Sequence, residues 1–218
     1  MPNWCNNNIT INGDEGTIRT LTAVLKGLKS HDENEEEEKT GDVFKALIGL
    51  PPHMSDGDYK EKWYDTNVEW FGTKWDISYD EHSFNFSKEE INFSCETAWS
   101  PPIPFLTNLC KMYKVSGHIF YSESGIGFTG ETTFTWQDDE LDVFDQEYEY
   151  FEGLYRLSKD EFWSEVDYRL DCILDEEMSL EEFLSEYNFV SNEDKKELTR
   201  LYNETIENND EDDDAEGE

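Results

Sequence analysis

The sequence predicts an α+β fold: a split βαβ antiparallel sheet with helices on one face and an added strand, followed by an acidic all-helical extension. Three observations carry this. Short segments of alternating apolar residues are interleaved with segments of helical period over the first two-thirds of the chain. From Asp138 the apolar spacing turns to threes and fours. The charge shifts at the same place: residues 1–137 hold 22 acidic and 11 basic side chains, residues 138–218 hold 31 and 6.

The elements follow in order. Cys5 to Asn12 (CNNNITIN) reads as a strand ended by Gly13. Thr17 to Lys29 places Ile18, Leu21, Leu25 and Leu28 on one helical face. Ser30 to Gly41, with the acidic run Glu35 to Glu38, has no apolar residue and reads as a loop. Val43 to Pro52 is apolar and reads as a segment at the core's edge. His53 to Asp65 reads as a loop, and Val68 to Tyr79 as a strand with Trp75 and Ile77 on one face. Phe84 and Phe86 extend it, and Ile91 to Ala98 returns as its hairpin partner. Pro101 and Pro102 stop that strand and open a helix bearing Phe105, Leu106, Leu109, Met112 and Tyr113. Val115 to Ser122 and Gly127 to Trp136 are two further strands joined by a turn at Ser124 and Gly125.

The order is β-α-(loop)-β-β-α-β plus one β. It fits a ferredoxin-like domain over residues 1–137. Beyond it, Leu141, Phe144, Tyr148, Phe151 and Tyr155 repeat at 3, 4, 3 and 4, a helical seam. Ser158 with Glu161, Ser179 with Glu182 and Ser191 with Asp194 read as helix-opening caps. The helical extension spans 138–207, and residues 208–218 read as a disordered acidic tail.

Composition bounds the function. The 218 residues carry 17 Lys plus Arg against 53 Asp plus Glu, a formal charge of −36. That charge excludes broad phosphate-backbone binding and opposes contact with anionic membranes. Acidity with a mean hydropathy of −0.83 would suggest disorder, but 15% aromatic residues argue for a folded core. No stretch approaches the 18 apolar residues of a membrane span, and the start MPNWCNNN lacks a signal-peptide pattern, so a cytoplasmic protein is expected.

Few motifs carry chemistry. There is no P-loop, GxGxxG, HExxH or GxSxG. The glycine-rich SGIGFTG at Ser124 to Gly130 falls on a hairpin, without the helix N-terminus that a phosphate cradle needs. Cys5, Cys95, Cys110 and Cys172 lack CxxC spacing and read as small buried hydrophobes. His118 with Cys95 and Cys110 is the one set that a sheet could gather, for zinc or for a Cys–His nucleophile. The reading is no catalytic residue, no metal site and no cofactor. Trp4, Trp75, Trp99 and Trp136 read as packing residues. Trp63, Tyr64 and Trp70, in the predicted loop region, are the candidate exposed aromatic contacts.

Several blocks carry a resemblance. They are MPNWC with NNNITING at the start, ALIGLPP at Ala46 to Pro52 and FGTKWD at Phe71 to Asp76. ETAWSPPIPF at Glu96 to Phe105 and ESGIGFTG at Glu123 to Gly130 complete them. Together they resemble the YubB ferredoxin-like domain family of plasmid and phage proteins, over about residues 1–137. The resemblance implies a ferredoxin-like fold and a mobile-element origin, with no activity attached.

The excess charge is the functional feature that remains. An acidic helix can approach the linear charge density of nucleic acid. The leading expectation is a non-enzymatic protein that inhibits a host defence system, CRISPR or restriction type, by presenting a nucleic-acid-mimicking surface. Its partner would be a basic host protein or nucleoprotein complex in the host cytoplasm, with no direct contact to nucleic acid or membrane. The acids expected on outward helix faces are Asp145, Glu149, Glu152, Asp160, Glu165, Asp171, Glu181 and Glu182. The alternative is an interaction or regulatory module acting through the sheet, and a less favoured one an enzyme with an unrecognised site.

Overall fold

A computed structural model describes residues 3–28, 42–176 and 178–215, with the backbone alone at 171, 173–176 and 208–215. The acidic run Glu35 to Glu38 lies outside the described residues. The chain divides into two compact units, residues 1–147 and 148–218.

In the first unit β1 (Trp4–Asn12) alternates strictly, burying Cys5, Asn7, Ile9 and Ile11 and turning Trp4, Asn6 and Asn8 outward. Asp14 then caps α1 (Glu15–Lys26), its carboxylate accepting the amides of Gly16 and Thr17. That helix buries Ile18, Leu21 and Leu25, as their spacing predicts. A short α2 (Val43–Ile48) sinks Val43, Phe44, Leu47 and Ile48 into the same core.

Two expectations fail next. Residues expected as a loop form α3 (Asp56–Trp70), opened by a reciprocal cap between Ser55 and Asp58 and kinked at Lys62. The cap signature S-x-x-D stood in the sequence, but α3 buries little apolar surface and so lacks the stripe that announces a helix. The expected strand Val68–Tyr79 is absent; only an isolated bridge joins Ser78 to Asp42. Its backbone serves α2 instead, the Ile77 carbonyl accepting the Val43 amide.

A 3-10 turn at Glu81–Ser83 leads to β2 (Phe84–Phe86) and β3 (Glu90–Ala98), the expected hairpin. Then come α4 (Ile103–Tyr113), β4 (Ser116–Glu123) and β5 (Phe128–Gln137). The buried Glu123 holds the β4–β5 turn, its two carboxylate oxygens accepting the amides of Gly125 and Ile126 at 2.6 and 2.8 Å.

The expected helix at Leu141 to Tyr148 is instead a strand, β6 (Glu140–Glu149). Asp138 and Asp139 both take positive φ, 50° and 64°, the conformation of a two-residue hairpin turn. That turn folds β6 back onto β5. Leu141 packs on the core, whereas Val143 and Phe144 stay exposed, so the apparent seam is not one.

The strand order is β2-β3-β1-β4-β5-β6. β1 pairs antiparallel with both β3 and β4, and β3 with β2. The first four strands therefore have the ferredoxin-like arrangement, with β5 and β6 added at the β4 edge. α1, α2 and α4 all contribute to one core cluster with the inward residues of β1, β3 and β4. The other face of those strands, from Asn6, Asn8 and Thr10 to His118, is largely polar.

The second unit is helical: α5 (Tyr150–Leu157), α6 (Lys159–Glu176), α7 (Leu180–Glu186) and α8 (Asn192–Ala215). It buries Leu154, Phe162, Val166, Phe183, Tyr187 and Leu198. Tyr187 lies 5.1 Å from Phe183 and 5.9 Å from Phe162, ring centre to ring centre. Ser179 with Glu182 forms the expected reciprocal cap, and Ser191 accepts the Asp194 amide to open α8. α8 continues past Asn208, where a disordered tail was expected, to Ala215; a helix already nucleated gains one bond per residue added. Residues 216–218 lie outside the described residues. No described helix is long and apolar enough to cross a membrane.

Candidate functional site

The feature in the first unit that asks for a ligand lies at the end of β1 and the outer edge of β3. Trp4 is carried outward by the alternation of β1. Trp75 follows Lys74 in the irregular segment after α3, and Trp99 follows β3 directly. The three indoles form a row, Trp4 to Trp75 at 6.1 Å and Trp75 to Trp99 at 6.2 Å. All three stay between 39% and 46% exposed, an unusual outlay of apolar surface. The Lys74 ammonium sits 4.3 Å from the Trp75 ring centre and 5.2 Å from that of Trp99. Trp99 has a φ of 69°, a left-handed conformation uncommon for a bulky residue. Its amide donates to the Asn3 carbonyl, which anchors it there.

The row borders a groove of about 410 Å³. One bank is β3 from Ser94 to Ala98; the other is Trp75 to Ser78, with Ser83 and Phe84 at the far end. Asp76 on this bank is fixed by three amides, those of Phe44, Lys45 and Ile77, at 2.7, 2.8 and 2.7 Å. It caps α2 from another segment, since Asp42 makes no side-chain cap bond there. Burial pushes the Asp76 carboxyl up to about 6, against the lowering effect of those amides.

Behind the groove lies a buried polar cluster. The Asn7 amide donates to the Cys5 and Cys95 carbonyls at 2.8 and 3.1 Å and to Thr97 Oγ1 at 2.9 Å. Thr97 in turn donates to the Ser100 carbonyl at 2.7 Å. These bonds hold the end of β3 rigid beside the Trp row.

The residues read from sequence as partner contacts fall in different places. Trp63 and Tyr64 are exposed on α3 and meet edge to face at 5.8 Å. Trp70 is half-buried, packs against the core and donates its indole N–H to the Gly49 carbonyl. Asp145 is on β6, not on a helix, and accepts from Tyr121 and Thr132. Glu149 ends the same strand. Glu152 is ion-paired with Arg156, and Glu182 is engaged in the cap with Ser179. Glu165 is half-buried; Asp160 and Glu181 are exposed. The Asp171 side chain lies outside the described residues.

The Trp row was missed because each indole alone reads as packing. The signal available was the placement of two of them at strand ends, in WC and AWSPP.

The Cys–His set does not assemble. His118 lies on the polar sheet face, paired with Glu131 at 3.0 Å, whereas Cys110 is buried beneath α4. Burial pushes the Cys5 and Cys110 thiols up to about 12 and that of Cys95 higher still, the opposite of an activated nucleophile. Among the described residues no group of three His, Cys, Asp or Glu converges as a metal site.

Fold and site together define a ferredoxin-like α+β protein with an aromatic groove at one sheet edge and an acidic helical unit. Residues 74–164 match the family of the ferredoxin-like domain in Api92-like protein. Among solved structures, the chain is similar to the protein api92 from Yersinia pseudotuberculosis, at 10% identity and a TM-score of 0.37. That similarity covers 68% of this chain and 98% of the other. No curated protein matches the chain.

Proposed function

We propose that this is a non-catalytic binding protein whose acidic helical unit occupies a basic surface that its partner uses for nucleic acid. The observation that carries the reading is the way the second unit disposes its charge. Residues 148–218 hold 25 acidic and 6 basic side chains. Four of those cations are tied down within the unit: Arg156 by Glu152, Lys159 by Asp194, Arg169 by Glu186, and Arg200 by Glu197 and Glu204. The core is aromatic, and among the described residues Asp160, Asp167, Glu181, Glu193 and Glu207 are exposed.

The spacing suits the role. α6 has 18 residues with seven acids, and its length is about 27 Å. That is one acid per roughly 4 Å, near the ~3.4 Å spacing of phosphates along one DNA strand. Such a surface steers a basic partner at long range and loses it in salt. A mobile-element origin, which the sequence resemblance suggests, would make a nucleic-acid-binding host defence complex the natural target.

The test is capture by the immobilised full chain at about 50 and about 200 mM salt, followed by elution with duplex DNA. The reading expects a retained protein that salt weakens and duplex DNA displaces. Retention that DNA cannot displace overturns it. The second reading, interaction through the sheet, is favoured by the groove at β3.

A further inference from the structure

We propose that the outer edge of β3 is a docking site for an extended, basic peptide segment of a partner protein, which would pair with the β3 main chain at Glu96. Main-chain groups along β3 point alternately toward and away from β1. Trp99 donates its amide to Asn3 and Gly13 donates to Glu89, so the odd-numbered residues of β3 turn their polar groups toward β1. The even-numbered ones turn outward. Their partners can be followed along the edge. The Glu90 carbonyl accepts from Ser87. Asn92 pairs with Asn85 of β2. At the other end Ala98 exchanges bonds with the Thr73 hydroxyl, its amide donating at 3.1 Å and its carbonyl accepting at 3.3 Å.

Between these ends β2 has stopped, since its last pair is Phe84 with Phe93. Among the described residues the amide and carbonyl of Glu96 find no partner. The groove opens at this gap. An exposed strand edge is a template for another strand unless it is covered. Here the two ends are covered and the middle faces a groove of about 410 Å³, a volume within the usual range for ligand sites. Peptide recognition by strand addition needs such an edge, with side-chain pockets to select the sequence.

The lining selects a basic segment. A residue placed opposite Glu96 would have its side chain roughly 5 Å from the Glu96 side chain, on the face that carries Trp4. A Lys or Arg there meets a carboxylate and, beside it, the exposed Trp4 ring, whereas Trp75 already carries Lys74 and offers apolar surface. The Asp76 carboxylate on the far bank is taken up by three amides, so Glu96 is the acid that selects. The chain's own acidic run Glu35 to Glu38 has the wrong charge for this groove. This site is built by residues of the first unit and does not depend on the reading given for the second.

The test uses synthetic probes on the full chain. A fluorescein-labelled peptide of alternating valine and lysine or arginine is titrated by anisotropy. A second peptide of the same charge carries N-methyl groups on alternate backbone amides, with the two possible registers made separately. The proposal expects saturable binding, at least tenfold weaker for one methylated register, and new exchange protection of the Glu96 amide. Glu96→Gln should weaken binding modestly. Glu96→Pro, tolerable where a strand's N–H faces outward, should weaken it at least tenfold. Trp75→Ala, checked for fold by circular dichroism, should weaken it similarly. Equal binding of all three peptides would mean charge attraction alone and would overturn the proposal, as would no saturable binding. Loss of nucleic-acid competition by the helical unit would leave these results unchanged, which keeps the two readings distinguishable.

Discussion

The Tyr121 hydroxyl of β4 donates to the Asp145 carboxylate of β6 at 3.3 Å, reaching across β5 at Gly130. A side chain at Gly130 would collide with that hydroxyl, so the glycine gives the tyrosine its path. The same carboxylate oxygen accepts from the buried Thr132 hydroxyl at 2.5 Å. Asp145 thus pins the last strand to the sheet. Asp145→Ala should cost about 1–3 kcal/mol in urea unfolding, because the Thr132 hydroxyl is left without its acceptor. Asp145→Asn keeps an acceptor and should cost less. Equal, negligible losses would show that β6 is held by its backbone pairing alone.

Asp76 and Asp194 should respond to acid with opposite sign. The folded-state value of Asp76 is raised to about 6 by burial, so its contribution is full below the unfolded value of 3.8 and is lost as pH rises through 6. Asp194 is lowered to about 2 by bonds from Tyr155, Lys159 and Ser191. Its contribution is present above 3.8 and lost as pH falls toward 2. Thermal melts of the Asp76→Asn variant should lack part of the wild-type gain between pH 6 and 4. Melts of Asp194→Asn should lack part of the wild-type loss below pH 4. Parallel curves for variant and wild type would contradict either assignment.

Charge reversal should separate surface acids from structural ones. Asp167→Lys and Glu207→Lys alter exposed carboxylates away from any helix N-terminus, and both variants should keep their stability within about 0.5 kcal/mol. Glu182→Lys removes the return bond to the Ser179 amide and places a cation in the first turn of α7. It should cost about 1 kcal/mol. A combined reversal of Asp167 and Glu207 is therefore the clean probe of partner binding: lost capture with unchanged melting fits the acidic reading, and unchanged capture opposes it.

The thiols give a fourth check. Cys5 and Cys110 are fully buried. With their ionisation pushed up, they should react with a disulfide reagent at pH 8 only as fast as the first unit opens. Rapid native-state labelling of either would contradict the packing described.

Much of the fold was legible because periodicity reports burial directly. The spacing of Ile18, Leu21 and Leu25 and the alternation of Cys5 to Ile11 have one reading each. Leu141, Phe144 and Tyr148 were ambiguous: their spacing fits a helix, yet Val143 and Phe144 are exposed on a strand. The Asp138–Asp139 turn decided between the two, through positive φ values that no spacing reveals. α3 was hidden for the opposite reason, having a cap but almost no apolar stripe. The indoles of Trp4, Trp75 and Trp99 are 24 to 95 positions apart in the chain, and only folding stacks them.

By itself the sequence determined the α+β class, the βαββαβ order and the acidity. These follow from local period, cap chemistry and composition, which act within a few residues. Tertiary structure decided which acids are free and which are used, where the sheet ends and what its edge exposes. Glu96 looks like any other acid of the 53 until the shortness of β2 leaves its backbone facing an open groove. Asp76 looks like one more surface charge until three amides from two segments close around it. Such roles depend on groups brought together by chain closure, and that is information no local pattern contains.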